Sequence, residues 1–159
     1  MASLRLVWKY AAEAIVVALM AVMVVALAIQ VFFRFVIQDP PPWTEELARY
    51  VFVWITFLGA AVAYRRGTHI VVDTILHLLS PRVRAVLAWM VDVLVFISLV
   101  TLLITGIGIV QATSNVRATM LQIPMSFVYA AVPVSAALML AYQAERLVAL
   151  LRRQAPVEG

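Results

Sequence analysis

The sequence contains no cysteine, so disulfide bonds, thiolate metal sites and cysteine nucleophiles are all excluded. Charged residues are also scarce, because Asp, Glu, Lys and Arg make up only 13% of the 159 residues. A soluble domain has about 25%. The chain contains neither a glycine-rich phosphate-binding loop nor a nucleophile elbow. We therefore expect no catalytic residues, no cofactor and no metal ion.

Apolar residues, in contrast, make up 65% of the chain, and the mean hydropathy is +1.04. They are concentrated in four long blocks, at about 11–35, 45–64, 83–110 and 124–151. A helix of about 20 apolar residues crosses the hydrocarbon of a bilayer, where backbone groups can bond only to one another. We therefore predict an all-α membrane protein, a single domain over residues 1–159 with four transmembrane helices.

Local signals indicate where these spans begin. A proline run ends at Pro42, and Thr44 is expected to cap the second span. Ser80 and Pro81 are typical of the start of a helix, and Pro124 opens the fourth span. Pro133 lies inside that span and is expected to kink it.

The first block contains the tripeptide Ala-Leu-Ala at 26–28, which resembles a signal-peptide cleavage site. Apolar sequence continues beyond it to Phe35, further than a signal peptide needs. We therefore expect this block to be a retained membrane span.

The basic residues predict the orientation. Nine of the twelve lie before the first span, around the connection between the second and third, or near the end of the fourth, and three lie on the other side. Because cytoplasmic loops are enriched in Lys and Arg, both termini are expected to be cytoplasmic. A net charge of +4 would suggest nucleic acid in a soluble protein. Here it is explained by orientation and by anionic membrane lipid, so no nucleic-acid partner is expected.

The connection between the second and third spans predicts a short amphipathic helix at about 70–79. At 100° per residue, most of its apolar side chains fall within an arc of about 160°. Such a helix lies in the membrane interface. His69, Asp73 and His77 occupy the polar arc. Histidines placed there cannot face each other inside a bundle, so we expect no haem.

A polar-headed stripe runs along the second span. Glu45 and Arg49 are spaced i,i+4 at its outer end, where a carboxylate offsets the cost of an arginine near hydrocarbon. Small residues allow close approach of another helix, either within this chain or from a partner protein. The stripe continues through Thr56, Gly59, Ala60 and Ala63.

Two further spans carry similar stripes, and four helices can bury only some of the three internally, which favours a partner. The stripe of span three consists of Ser98, Thr101, Thr105, Gly108 and Ala112, and that of span one of Ala11, Ala14, Ala18, Ala21 and Ala28.

Asp92 lies inside the third span, and an intramembrane acid is by default a candidate proton or ion site. A transport site would bring a second polar group to a similar depth, and none is evident in the sequence. We therefore favour a structural role for Asp92, for instance as a partner for Arg65, Arg66 or Arg84.

Glu13 suggests a different class of protein. The small multidrug-resistance transporters are four-span proteins with an essential carboxylate in the first helix. Glu13, however, lies four residues after Lys9 at the start of the apolar run. This spacing predicts an i,i+4 ion pair at the interface.

Three segments together resemble the small membrane subunit of TRAP transporters, the tripartite ATP-independent periplasmic systems for organic acids. They are EELARYVFVW at 45–54, FLGAA at 57–61 and AYRRGTHIVVD at 63–73. The shared elements are an acid before Arg-Tyr, a tryptophan, Gly-Ala-Ala and His-x-x-x-Asp, in that order. The chain length, the four spans and the inward termini agree with the same family.

The resemblance implies a division of labour. A periplasmic protein captures the substrate, and a large membrane subunit carries it with sodium by an elevator movement. A chain like this one packs beside the large subunit as a scaffold in the bacterial inner membrane and offers periplasmic surface to the capture protein. Substrate and coupling ions are held elsewhere.

The alternative is a self-sufficient, proton-coupled multidrug-type transporter that acts as an oligomer through Glu13 or Asp92. On the scaffold interpretation, the candidate structural or interface residues are Glu45, Glu46, Arg49, Trp54, Thr56, Gly59, Ala60, Ala63, Arg65, Arg66, His69, Asp73 and Asp92.

Overall fold

A computed structural model describes residues 2–66 and 80–154. Four of its helices are long and apolar enough to cross a membrane, which confirms the predicted all-α fold with four transmembrane helices. The proposed interfacial helix at 70–79 lies outside the described residues. The helices are α1 (Ala2–Phe32, extended by a π-helical turn at Phe33–Ile37), α2 (Pro42–Arg65), α3 (Pro81–Ala112), the short α4 (Met125–Tyr129) and α5 (Ala131–Gln154).

The start of α2 differs from the prediction. Pro41 occupies the N-cap position in an extended conformation, and the helix begins at Pro42. Proline suits the first turn because its missing N–H would have no helical partner there. Thr44 therefore lies inside the first turn and is not the cap; its buried hydroxyl donates to the carbonyl oxygen of Pro41 at 2.7 Å. Helix α3 begins as predicted, after Ser80.

The fourth span is divided into α4 and α5 at Ala130, three residues before Pro133. Proline has no N–H to donate to the carbonyl of Tyr129, so one helical hydrogen bond is missing at this point. Helical hydrogen bonding resumes at the next residue, where the Val134 N–H donates to the Ala130 oxygen at 3.1 Å. The predicted irregularity at Pro133 is therefore present.

The four long helices form an open row in the order α1, α2, α5, α3. Helix α2 packs against α1 and α5, and α5 packs against α3. Within the described residues, α1 and α3 do not pack on each other, so the row does not close into a bundle. In the most apolar part of each span, 6% of the residues are buried in α1 and 11% in α3, the two outer helices. The corresponding shares are 22% in α2 and 28% in the fourth span. Much of the surface therefore faces lipid or a partner.

The contacts between helices depend on small residues. Six of the ten buried apolar residues in the described part of the chain are alanines. Gly106 of α3 is also buried, against Pro133 of α5. A Cβ at Gly106 would lie 2.9 Å from Cδ of Pro133. Small residues let helices approach closely in a membrane, where lipid competes with apolar packing.

This close approach predicts different outcomes for two glycines of the same helix. Gly106→Ala should lower the free energy of unfolding by about 1–3 kcal/mol, because the new methyl group forces α3 away from Pro133. Gly108→Ala is the matched control, since a Cβ there meets nothing within 4 Å. Thermal denaturation of the two variants in the same detergent measures the difference, and equal stability would contradict this packing.

Candidate functional site

The polar-headed stripe of α2 lies on the outside of the row. Nη2 of Arg49 donates to Oε1 of Glu45 at 2.8 Å, so the predicted pair forms. The two side chains are 67% and 65% exposed. Ala60 is exposed further along, and a Cβ at Gly59 would meet nothing within 4 Å. The stripe is therefore largely exposed from Glu45 to Ala60, and its other members, Thr56 and Ala63, are exposed as well.

A different face of α2 makes the contacts within the chain. Its buried members are Thr44, Ala48, Val51, Leu58 and Ala61. The stripes of α1 and α3 that the sequence suggested are also exposed at every position. All three stripes therefore remain largely exposed in the described chain.

Glu46, next to the exposed pair, anchors a loop between α3 and α4. Its carboxylate accepts three consecutive backbone N–H groups, from Thr119 at 3.0 Å, Met120 at 2.9 Å and Leu121 at 2.7 Å. The Tyr50 hydroxyl donates to the same carboxylate at 2.9 Å. Consecutive N–H groups of a turn form a natural anion site, and here a side chain of α2 fills it.

The loop is held in one shape by its own backbone as well. The Ala118 N–H donates to the Ile123 oxygen at 2.9 Å, and the Met125 N–H donates to the Val116 oxygen at 2.8 Å. Gln122 has φ 54°, in the left-handed region, as the tight turn between these bonds requires. The loop and the start of α2 therefore form a single ordered surface at the end of the helices where α2 begins.

The sequence did not reveal this anchor. Glu46 was a candidate only through the family motif, and its backbone partners lie 73 to 75 residues away. Backbone amides carry no side-chain signature, so no spacing rule identifies them. The left-handed residue in the loop is a glutamine, which does not mark such a turn as glycine would.

The anchor predicts a local effect of a single substitution. Glu46→Gln should increase hydrogen exchange at the amides of 119–121 several-fold, because a neutral amide replaces the carboxylate that these three N–H groups share. Glu45→Gln is the control, because its carboxylate bonds Arg49 and not the loop. Hydrogen exchange followed by mass spectrometry measures both variants. Unchanged protection in Glu46→Gln would show that the loop holds its shape without the carboxylate.

At the opposite end of α2, near Arg65, Glu13 connects α2 to α1. Its carboxylate lies 2.6 Å from Nη2 of Arg65 and 3.1 Å from Nη2 of Arg66. Glu13 therefore pairs with α2, whereas the predicted pairing with Lys9 stays a prediction, because the Lys9 side chain lies outside the described part of the structure. Antiparallel packing explains the pairing with α2, because it brings the start of α1 beside the end of α2.

Arg65 extends this connection to a third helix. Its guanidinium carbon lies 5.7 Å from the centroid of the Tyr142 ring in α5, a distance suited to a cation–π contact. The Arg65 side chain is 15% exposed and that of Glu13 is 26% exposed. The carboxylate that a multidrug-type transporter would need for proton exchange is thus engaged by two arginines.

Asp92 has a polar neighbour that the sequence analysis missed. Nε2 of Gln143 in α5 donates to the backbone oxygen of Asp92 at 2.9 Å. The expectation that no second polar group lies at this depth was therefore wrong, because the packing of α3 on α5 was not known. Asp92 also has a further interaction and is not without a partner.

Trp54 lies on the opposite side of α2 from the stripe. Its ring packs against Phe127 of α4, with centroids 5.6 Å apart. Both rings line a groove of about 510 Å³ between α1, α2 and the fourth span. Among the described residues, Nε1 of Trp54 has no hydrogen-bond partner. Of the other candidates, His69 and Asp73 lie outside the described residues.

These features suit a structural subunit of a membrane complex. Glu13 and Glu46 are both bonded within the chain, Glu13 joining α1 to α2 and Glu46 joining α2 to the loop before α4. In the described part of the chain, no group of three or more His, Asp or Glu side chains could hold a metal ion. The geometry alone thus defines a multi-pass membrane protein with open packing surfaces.

Comparison with known proteins identifies the family. The family described as tripartite ATP-independent periplasmic transporters, DctQ component, matches residues 23–153. The sialic acid TRAP transporter small permease protein SiaQ of Vibrio cholerae is 28% identical over 140 residues, 88% of this chain and 81% of SiaQ. The chain therefore belongs to the DctQ family of TRAP transporter small permease subunits, as the motif at 45–73 indicated.

Two further relatives are much longer than this chain. The sialic acid TRAP transporter permease protein SiaT of Haemophilus influenzae is 32% identical over 111 residues, 70% of this chain but 18% of SiaT. The isethionate TRAP transporter permease protein DctMQ of Oleidesulfovibrio alaskensis is 34% identical over 99 residues, 61% of this chain but 16% of DctMQ. In both, a segment similar to this chain is part of a larger permease polypeptide. As a member of this family, the chain is a transporter subunit that associates with a large permease, and not an enzyme.

Proposed function

We propose that this chain is a fixed scaffold beside the large permease subunit of a sodium-coupled transporter for an organic acid. The observation that carries the proposal is the open stripe of α2, from Glu45 to Ala63. A partner helix can approach closely along small side chains, and Gly59 offers it space that nothing in the described chain fills.

The choice of an organic acid rests on the relatives. Sialic acid and isethionate, which the relatives' names carry, are both acids. We propose that the large subunit binds the substrate and the sodium ion. This agrees with the engagement of Glu13 by Arg65 and Arg66 and of Glu46 by a loop, because neither carboxylate is available to a transported ion.

A second part of the proposal concerns the periplasmic substrate-binding protein. The loop anchored by Glu46 and the exposed Glu45–Arg49 pair form an ordered surface at the end of the helices where α2 begins. If both termini are cytoplasmic, this surface faces the periplasm. A docking surface benefits from such order, because less conformational entropy is lost when the partner binds.

The scaffold proposal is tested by Gly59→Leu. The added side chain enters open space in this chain, so the fold should survive, while the large subunit is held away. Complex recovered by affinity purification should fall at least about tenfold, as expected for a loss of about 1.4 kcal/mol or more. Uptake by reconstituted vesicles should fall in proportion, with the Michaelis constant for substrate little changed.

Gly108→Leu is the control for this experiment, because Gly108 is equally open but belongs to the α3 stripe. Normal assembly of Gly59→Leu together with failure of Gly108→Leu would assign the large subunit to α3 instead. Uptake by this chain alone in liposomes would contradict the scaffold role altogether and favour the self-sufficient transporter.

The proposed orientation is tested by thiol labelling, which the absence of cysteine makes simple. Single cysteines at positions 38 and 115 should react with an impermeant thiol reagent added to intact spheroplasts. A cysteine at position 68 should react only after the membrane is opened. The reverse pattern would place the Glu46 loop in the cytoplasm and remove the basis for docking of a periplasmic protein.

A further inference from the structure

The groove beside Trp54 follows from the open row of helices. In the described residues, helices α1 and α5 pack on either side of α2 but make little contact with each other. A groove of about 510 Å³ therefore remains between them, along the face of α2 that carries Trp54. Its walls include Ala12 and Ile15 of α1 and Leu138 of α5, and its floor includes Trp54 and Leu58. The lining is apolar apart from the polar tips of Tyr50 and Trp54.

The end of the groove near Ala12 is cationic. Arg65 pairs with Glu13, which follows the lining residue Ala12 of α1, and its guanidinium carbon lies 5.7 Å from the centroid of the Tyr142 ring in α5, the helix that forms the other wall. The single carboxylate of Glu13 is shared between Arg65 and Arg66. The Arg66 side chain remains 63% exposed and can donate further hydrogen bonds.

An apolar channel that ends at an exposed guanidinium matches the two parts of a phospholipid. A transmembrane helix lying along this groove would bring an apolar surface towards the Arg65 and Arg66 guanidinium groups. An acyl chain, in contrast, ends at a phosphate, and arginine binds phosphate well. Basic pockets between transmembrane helices on the cytoplasmic side are typical sites for anionic lipid headgroups.

We propose that this groove binds an anionic glycerophospholipid, with one acyl chain along α2 and the phosphate at Arg66. The proposal goes beyond the scaffold function and uses the proposed orientation only to assign the lipid to the cytoplasmic leaflet. The lipid fills the space between α1 and α5 that the described residues leave empty, and it would be a resident component of the assembled subunit.

The test uses the complex with the large subunit, purified in detergent and titrated with phosphatidylglycerol or phosphatidylcholine in native mass spectrometry. Arg66→Gln should weaken phosphatidylglycerol binding about tenfold, as expected for one charge-assisted hydrogen bond, with little effect on phosphatidylcholine. Arg34→Gln, the same change at an exposed arginine near the other end of α1, should leave both unchanged.

A second pair of variants tests the acyl-chain part. Ile15→Trp places a larger side chain in the groove at a position that is already 50% exposed, so the fold should tolerate it. It should lower the number of retained phosphatidylglycerol molecules, whereas Val17→Trp, which points away from the groove, should not. If Ile15→Trp instead prevents assembly with the large subunit, the groove holds a helix of that subunit and the proposal is wrong. Undiminished phosphatidylglycerol binding in Arg66→Gln and Ile15→Trp would also overturn it.

Discussion

Helix α2 packs against α1 along one side and against α5 along the other, and this contact with two neighbours determines the arrangement of all four spans. A helix in a closed bundle uses one stripe, whereas α2 sits in a row and keeps two faces uncovered. One uncovered face carries the exposed stripe from Glu45 to Ala63, and the other forms the floor of the groove at Trp54. The open surfaces of the subunit therefore result from the placement of a single helix.

Acidic side chains secure α2 at both ends, although they do so by different chemistry. Glu46 accepts backbone N–H groups of the loop before α4, and this connects the start of α2 to that loop. Glu13 accepts from two arginines and connects α2 to α1. In a membrane, an uncompensated charge is expensive, so both carboxylates are held where a partner is assured. Both bonds hold α2 in place against its neighbours, which would suit the proposed scaffold role.

Local patterns predicted the spans and the Glu45–Arg49 pair, because both depend on residues near in sequence. The Glu13–Arg65 pair was within reach of the same reasoning, since consecutive spans with a short connection are antiparallel neighbours. The i,i+4 spacing points to Lys9 as well, and that pair stays a prediction because the Lys9 side chain lies outside the described residues. The loop anchor at Glu46 and the contact of Gln143 with Asp92 were not predictable, since each depends on which helices are neighbours.

The outward direction of the three small-residue stripes was also beyond local reasoning. A stripe that faces a sister helix and one that faces a partner protein have the same composition, because both need side chains small enough for close approach. The buried Gly106 against Pro133, in contrast, was not part of any suggested stripe. Which of these small residues is buried depends on which helices are neighbours, and the sequence of one helix does not show this.

The order of the row differs from the order along the chain, and this affects how the protein is made. Helix α1 finds its neighbour as soon as α2 follows it into the membrane, so the first two spans can form a complete hairpin. Helix α3 is synthesised next, but it packs on α4 and α5, which are synthesised after it. Because synthesis runs from the N-terminus, the third span remains in the bilayer without its neighbour until α5 has been made. Shortening the chain before α5 would therefore remove the packing of two helices at once, since the last helix joins the early hairpin to the waiting span.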